Sequence, residues 1–238
     1  MNDVLRYLDD REQEFARHVS VARMLEARVD QAASDDWMRV EIRHVNTVKS
    51  GLLIHIYNIV EAVTTRTLAT VGETVVTERP GGWTGLVLKE WVRAQIWGGE
   101  ERIGEGALTR LAQVSGLLAS GDNLAPFIVK GEPGSWDDKA IKKVAERLGC
   151  QLVLTPAVSQ AVYETVFRDD RTAMADLARR RNAIAHGAST FEDGANDLTL
   201  EDLENLAARV IPFLRAVARS YETFLGDKKY LSNLEAAA

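Results

Sequence analysis

One cysteine, Cys150, stands in 238 residues. A lone thiol excludes an intrachain disulfide framework and a cysteine-rich zinc module, and it fits a reducing, cytoplasmic setting. Proline is scarce, at five residues, and glycine stands at 17, which does not describe a disordered or repetitive chain. Long apolar runs are missing. The longest, GLLIHIYNIV over 51–60, is too short to span a bilayer and carries His55 and Asn58. The opening MNDVLRYLDD places charges where an export signal needs an apolar run, so a soluble intracellular protein with no membrane partner is expected. An excess of positive charge is missing too. The formal net charge is −6, and the isoelectric point is near 5.4. Coating nucleic acid through bulk charge is disfavoured, and any such contact must be a local basic site.

Common catalytic signatures are equally sparse. The four histidines, at 18, 44, 55 and 186, include no pair at i, i+4, which excludes a zinc pair on one helix. There is no G-x-x-x-x-G-K-[ST]: GEPGSWDDK lacks a glycine directly before its lysine. Gly104-x-Gly106 lacks the third glycine of a dinucleotide loop and follows acidic residues rather than a strand. No G-x-S-x-G elbow exists. The pair Asp169-Asp170 reads as solvated. No metal and no cofactor is expected.

What is present is an ordinary globular balance, 46% hydrophobic and 27% charged, with apolar residues at helical spacing. Val4, Leu8, Phe15, Val19, Ala22 and Val29 form one stripe in a helix over about 3–30. Ser34, followed by Asp35 and Asp36, offers an N-cap for a second helix ending near Val71, with Gly72 as its stop. Thr74 to Thr77 reads as a short strand, Pro80-Gly81-Gly82 as a turn, and Thr84 to Trp97 as a helix closed by Gly98-Gly99. Residues 99–134 carry no clear period. Ser135, with Asp138 three positions on, caps a helix that Gly149 ends, and CQLVLTP follows as a short extended piece. A helix over about 171–186 is stopped by Gly187. Thr199 with Asp202 resembles a capping box for a last helix to about Leu225, which Pro212 should kink. The expected class is all-α: one domain over 1–238 on a helical-bundle core, with residues 73–155 as an elaboration within it.

One constellation carries chemistry. Asp176 to Gly187 reads DLARRRNAIAHG. An arginine separated from a histidine by four to six residues is a nuclease signature, though with so many arginines about one such pair arises by chance. Arg39 before His44 and Arg11 before His18 satisfy it as well. At His186 the context is richer, because Asn182 follows Arg181 directly and Arg179, Arg180 and Arg181 make the place locally cationic. On a helix Asn182 and His186 lie one turn apart with Arg179 on their stripe, while Arg181 is rotated about 140° from His186. A helix C-terminus favours imidazolium, which suits a residue alternating between base and acid near neutrality. A second copy across a two-fold axis would bring two Arg–His sets into one cleft. The plain structural alternative makes the arginines a solvated face and His186 a cap on the last carbonyls. In the apolar run, Asn58 and Glu61 form an i, i+3 polar pair with His55 one turn back. They act either as a strut between helices or, in the case of Glu61, to orient Arg181 or His186. Trp83, Trp91 and Trp97 read as core or interface rather than base-stacking platforms.

DLARRRNAIAHG resembles the R-N-x-x-x-H-G motif of the HEPN superfamily. LLIHIYNIVEAV is similar to the Y-N-hydrophobic-V-E segment of its MAE-type nuclease-like family, and ASGDNLAPFIVK, HGASTFEDGANDLTLEDLENL and YETFLGDKKYL are similar to further parts, so the resemblance touches about residues 45–232. It implies a HEPN-like four-helix bundle core, a homodimer, and metal-independent endoribonuclease activity on RNA. In that scheme His186 helps activate the ribose 2′-OH, Arg181 binds the scissile phosphate and Asn182 orients it. The products are a 2′,3′-cyclic phosphate and a 5′-OH. Arg179, Arg180, Asn58 and Glu61 support the site, and which of the three arginines is essential stays open. The resemblance also implies a toxin or effector role in antiviral defence or a toxin–antitoxin system, with an antitoxin or defence-system protein as partner. One position departs: some HEPN toxins carry a tyrosine two residues after the histidine, where a neutralising nucleotide is attached, and here Ala188 stands there. Two other readings compete, a non-catalytic HEPN dimer that serves as an RNA, nucleotide or protein scaffold, and a plain helical interaction module.

Overall fold

The computed structural model describes residues 1–29, 31, 39–96, 105–121, 124–129, 131 and 135–232. Among them lie eight α-helices and no strand: α1 (Asn2–Glu26), α2 (Ile42–Val75), α3 (Gly85–Ile96), α4 (Glu105–Ser120), α5 (Asp138–Leu148), α6 (Pro156–Tyr163), α7 (Ala173–Ala185) and α8 (Leu200–Gly226). The fold is all-α, as the helical periodicity requires. The three long helices α1, α2 and α8 pack on one another, and α7 lies against α2 and α8.

The stripe expected on α1 is its buried face: Val4, Leu8, Phe15, Val19 and Ala22. Ion pairs set its direction. Arg215 of α8 reaches Asp9 and Glu12 near the start of α1, whereas Arg23 near its end meets Glu204 near the start of α8. The two helices are therefore antiparallel. On α8, Leu203, Leu206, Val210, Leu214, Val217 and Tyr221 are all buried. Thr199 caps α8 reciprocally with Asp202, the Thr199 Oγ1 accepting from the Asp202 N–H at 3.0 Å and Asp202 Oδ2 accepting from the Thr199 N–H at 2.8 Å. The helix runs unbroken through Pro212.

Several local expectations need correction. Helix α2 starts at Ile42, where Glu41 and His44 form its capping box; Ser34, Asp35 and Asp36 lie outside the described residues, as do Gly98 and Gly99. Gly72 does not end α2. Its β-branched stretch stays helical because Val63, Thr64, Thr67, Leu68 and Val71 are buried, and tertiary packing overrides weak propensity. Gly72 is needed for closeness instead: a Cβ there would lie 1.8 Å from the Phe127 carbonyl oxygen. Thr74 to Thr77 is no strand but the last turn of α2 and the bend after it, where Thr74 and Thr77 hydroxyls donate to Thr70 and Thr74 carbonyls. The cap of α5 is Asp137, which accepts from the Ala140 N–H at 2.7 Å, not Ser135. Gly149, at φ 76°, ends α5. The helices α4 and α6 were not expected, although Thr155 before Pro156 carries a readable start signal, a capping hydroxyl and a proline in the first turn.

The middle of the chain is tied in by buried polar contacts. Glu90 of α3, almost wholly buried, is held by Arg147 of α5 and by Arg93, at 3.2 Å for the latter. Asp138 at the start of α5 accepts a 2.6 Å hydrogen bond from the hydroxyl of Thr172, which in turn caps α7. Burial pushes the Asp138 carboxyl above the ordinary carboxylate range, with the Thr172 bond opposing. Ile141 and Val144 of α5 meet Leu68 of α2 and Val217 of α8 around a small cavity. Cys150 is buried and its thiol is pushed up to about 12, as befits a packing residue. No helix among the described residues is long and apolar enough to cross a membrane.

Gly72→Ala should destabilise the fold by about 1–3 kcal/mol, because the new methyl collides with backbone rather than with a side chain that can swing away. Urea unfolding checks this, and a midpoint equal to that of the parent would show that the 124–129 segment yields freely.

Candidate functional site

Three consecutive arginines on one helix point roughly 100° apart, so they cannot share a task. Arg179 stays on the outside, its guanidinium bonded to Asp176 Oδ1 at 3.0 Å and 3.3 Å. Arg180 turns inward. It donates to Asp176 Oδ2 at 2.7 Å, to both carboxylate oxygens of Asp197 at 2.7 and 2.8 Å, and to the Gly194 carbonyl at 3.3 Å. The Asp197 bonds, followed by those of Asp176, raise its pKa above the ordinary arginine value despite burial. Arg181 faces α2. Its guanidinium carbon lies 4.5 Å from the centroid of the Tyr57 ring, and Nη2 is 3.3 Å from Glu61 Oε2.

The neighbours of Arg181 are themselves held. Asn182 Oδ1 accepts from Arg181 Nη1 at 2.9 Å, and its Nδ2 donates to Ser135 Oγ at 2.6 Å. The Tyr57 hydroxyl accepts from the backbone N–H of Trp136 at 3.1 Å. Residues 135–136 thus grip both the α7 amide and the α2 phenol. Ser135 is a site residue in place of the helix cap expected of it. Tyr57 and Glu61 stand at i, i+4, a spacing that puts both on one helix face and was there to be read.

His186 caps α7. Its backbone N–H donates to the Asn182 carbonyl at 2.9 Å, and Gly187, at φ 72°, completes the turn with bonds back to Ile184 and from Ser189 to Ala183. The imidazole is exposed and has no hydrogen-bond or ion-pair partner among the described residues. The loop after it is pinned from below. Gly194 lies so close to Ile184 and to Ser50 Oγ that a Cβ would come within 2.4 Å and 3.0 Å of them, and the Lys49 ammonium donates to the Leu198 carbonyl at 2.6 Å. The end of α7 therefore sits beside residues 49–50 of α2.

The other sequence candidates divide. Glu61 reaches Arg181, but it is exposed rather than buried in an apolar helix, and so is Asn58, which lines a groove between α1 and α2. His44 belongs to a cap: its Nδ1 accepts from the Glu41 N–H at 3.0 Å. His18, the second chance partner of an arginine, lies against His55. Trp83 and Trp91 are buried and pack edge to face at 6.3 Å, so they are core; Trp97 is outside the described residues.

A family model, MAE_28990-like HEPN, matches residues 3–230. No curated protein and no solved structure matches the chain.

Arg180→Ala should cost about 3–5 kcal/mol, because it leaves the buried Asp176 Oδ2 unpaired, with Arg179 holding Oδ1 alone, and frees the 187–198 loop, whereas Arg179→Ala, which leaves Arg180 on Asp176, should cost about 1 kcal/mol or less. Denaturant unfolding of the two variants side by side checks this; equal losses would mean that the two guanidiniums are interchangeable.

Proposed function

The chain belongs to the MAE_28990-like HEPN family, which points to a nuclease-like or RNA-related role, and we propose that it is a metal-independent endoribonuclease acting as a defence or toxin–antitoxin effector. The observation that carries this reading is the meeting of two motif segments 120 residues apart: Arg181 of R-N-x-x-x-H-G rests on Tyr57 and Glu61 of Y-N-x-V-E. An arginine held over an aromatic face by a partly exposed carboxylate is pre-aimed yet weakly held, since exposed ion pairs contribute little. An RNA phosphate takes the place of Glu61 at small cost and gains a bidentate contact.

The chemistry needs a proton removed from the ribose 2′-OH, whose oxygen then attacks the adjacent phosphorus. The bond from phosphorus to the 5′-oxygen breaks, and the leaving oxygen takes a proton, giving a 2′,3′-cyclic phosphate and a 5′-OH. His186 is the base of this scheme, with a solvent-facing imidazole open to substrate. Arg181 offsets the charge that builds on the non-bridging oxygens, and Asn182, braced by Ser135, fixes its direction. One chain supplies one such histidine. Two copies paired about an axis near the end of α7 would supply base and acid on opposite sides of the phosphorus, which is why the active form is expected to be a homodimer.

A specific feature favours the second reading, a HEPN dimer that binds RNA, nucleotide or protein as a scaffold: in the single chain Arg181 is occupied by Glu61, and His186 has no orienting partner among the described residues. Denaturing gels of total RNA in EDTA separate the two. The ribonuclease reading expects cleavage that His186→Ala lowers by about 10²–10⁴-fold and Arg181→Ala by about 10²–10³-fold, with helical content unchanged. Binding without cleavage in the parent chain supports the scaffold, and full activity in folded His186→Ala removes the catalytic assignment.

Sedimentation velocity at micromolar concentration should give a dimer. A fully active monomer would sink the composite site, as would a dimer whose two His186 side chains lie on opposite outer faces.

A further inference from the structure

Away from Arg181, α1 and α2 enclose an open groove of about 590 Å³ lined by Tyr7, Arg11, Glu14, His18, His55 and Asn58. Within it two imidazoles from different helices converge: His18 Nδ1 and His55 Nδ1 are 3.2 Å apart, with ring centroids at 5.1 Å and planes inclined by 52°. We propose that this pair is a binding site for a divalent first-row transition metal, of the zinc, nickel or copper class, that bridges α1 to α2.

The separation suits a shared ion. Nitrogen ligands at about 2.0–2.1 Å from a metal lie about 3.3 Å apart in a tetrahedral arrangement and about 2.9 Å apart at a right angle. The observed 3.2 Å falls between these values; without an ion the contact is an imidazole–imidazole hydrogen bond, one Nδ1–H donating to the other Nδ1. The ring of His55 is also turned the right way. Its Nε2 is 3.5 Å from Glu14 Oε2, which Arg11 Nη1 holds from the other side at 2.5 Å. A proton on Nε2, facing the carboxylate, would leave the Nδ1 lone pair on the side of His18. A carboxylate behind the ring is how metal-binding histidines are commonly oriented. His18 is exposed and free to adjust. Glu14 lies on the Nε2 edge of His55, and Arg11 is paired with that carboxylate, which offsets its charge.

The chemistry of the donors selects the ion. Two imidazoles suit zinc, nickel or copper(II), whereas magnesium and calcium require oxygen. Among the described residues no group of three or more histidine, cysteine or carboxylate ligands that could hold a metal gathers, so the ion would take its remaining ligands from solvent. Two protein ligands make a weaker site than the three or four of structural and catalytic zinc centres. The site stands apart from the Arg181–His186 chemistry, and its presence does not depend on the ribonuclease reading.

The test is titration of ZnCl₂ and NiCl₂ into the chelator-stripped full chain, followed by calorimetry and by imidazole nitrogen NMR. One saturable site per chain is expected, with the His18 and His55 resonances shifting together, a metal-dependent rise in Tm, and no response to MgCl₂. His18→Ala, at an exposed position, leaves the fold intact and should weaken binding at least tenfold and abolish the rise in Tm. Glu14→Gln should weaken binding by about tenfold. Absence of saturable binding overturns the proposal, and so does unchanged affinity in His18→Ala, which would place the ion elsewhere.

Discussion

The buried guanidinium of Arg180 is the contact on which the rest of the candidate site depends. A charge taken out of water must be matched, and Arg180 is matched on both sides, by Asp176 one turn back on its own helix and by Asp197 from the loop beyond. The bidentate geometry with Asp197 fixes direction as well as charge. Closing this network draws the loop after His186 onto α7, where Gly194 permits the approach to Ile184 and Ser50. Once Arg180 is committed inward, the turn of the helix leaves Arg179 outside and directs Arg181 to α2. The assignment of roles within a run of three identical residues is thus a consequence of helical pitch and one buried ion network.

Helix α2 supplies the complementary surface. Its buried side carries the core, with Leu53, Ile56 and Val60 almost fully enclosed. Its other faces carry two separate sets of functional groups. Tyr57 and Glu61 meet Arg181 of α7, while His55 and Asn58 open onto the groove shared with α1. The segment at 135–136 braces the first set through Ser135 and Trp136, so the middle of the chain contributes to the site although its own helices pack elsewhere. Arg181 is pre-positioned on aromatic and carboxylate partners, whereas the His186 imidazole at the end of the same helix has no partner among the described residues. The proposed second copy rests on that asymmetry.

Where a signal is local, it could be read directly. The capping box of Thr199 and Asp202, the left-handed glycines at 149 and 187, and the stripes on α1 and α8 follow from hydrogen-bonding and periodicity rules acting within a few residues. Errors arose where a distant element decided. Gly72 reads as a stop because glycine frees the backbone, yet its role is to admit the Phe127 carbonyl from a segment more than fifty residues away. Ser135 reads as a cap, yet Asp137 wins that position and leaves the hydroxyl for Asn182. The stretch at 63–71 looks unfavourable for helix until the burial of its apolar side is known.

By itself the sequence determined the helical class, the positions of α1, α7 and α8, and the R-N-x-x-x-H-G segment with His186 at a helix end. These depend on spacing along the chain, and spacing along one helix is a local quantity. Only the tertiary structure decided which arginine faces α2, which carboxylates neutralise the others, and that Glu61 is exposed. It also brought His18 beside His55. A rule for histidine pairs one turn apart is blind to two imidazoles on different helices, because their separation is set by how α1 and α2 pack and not by the 37 positions that part them in the chain. Contacts between helices depend on rotation about each axis, and that rotation is fixed by the whole core at once.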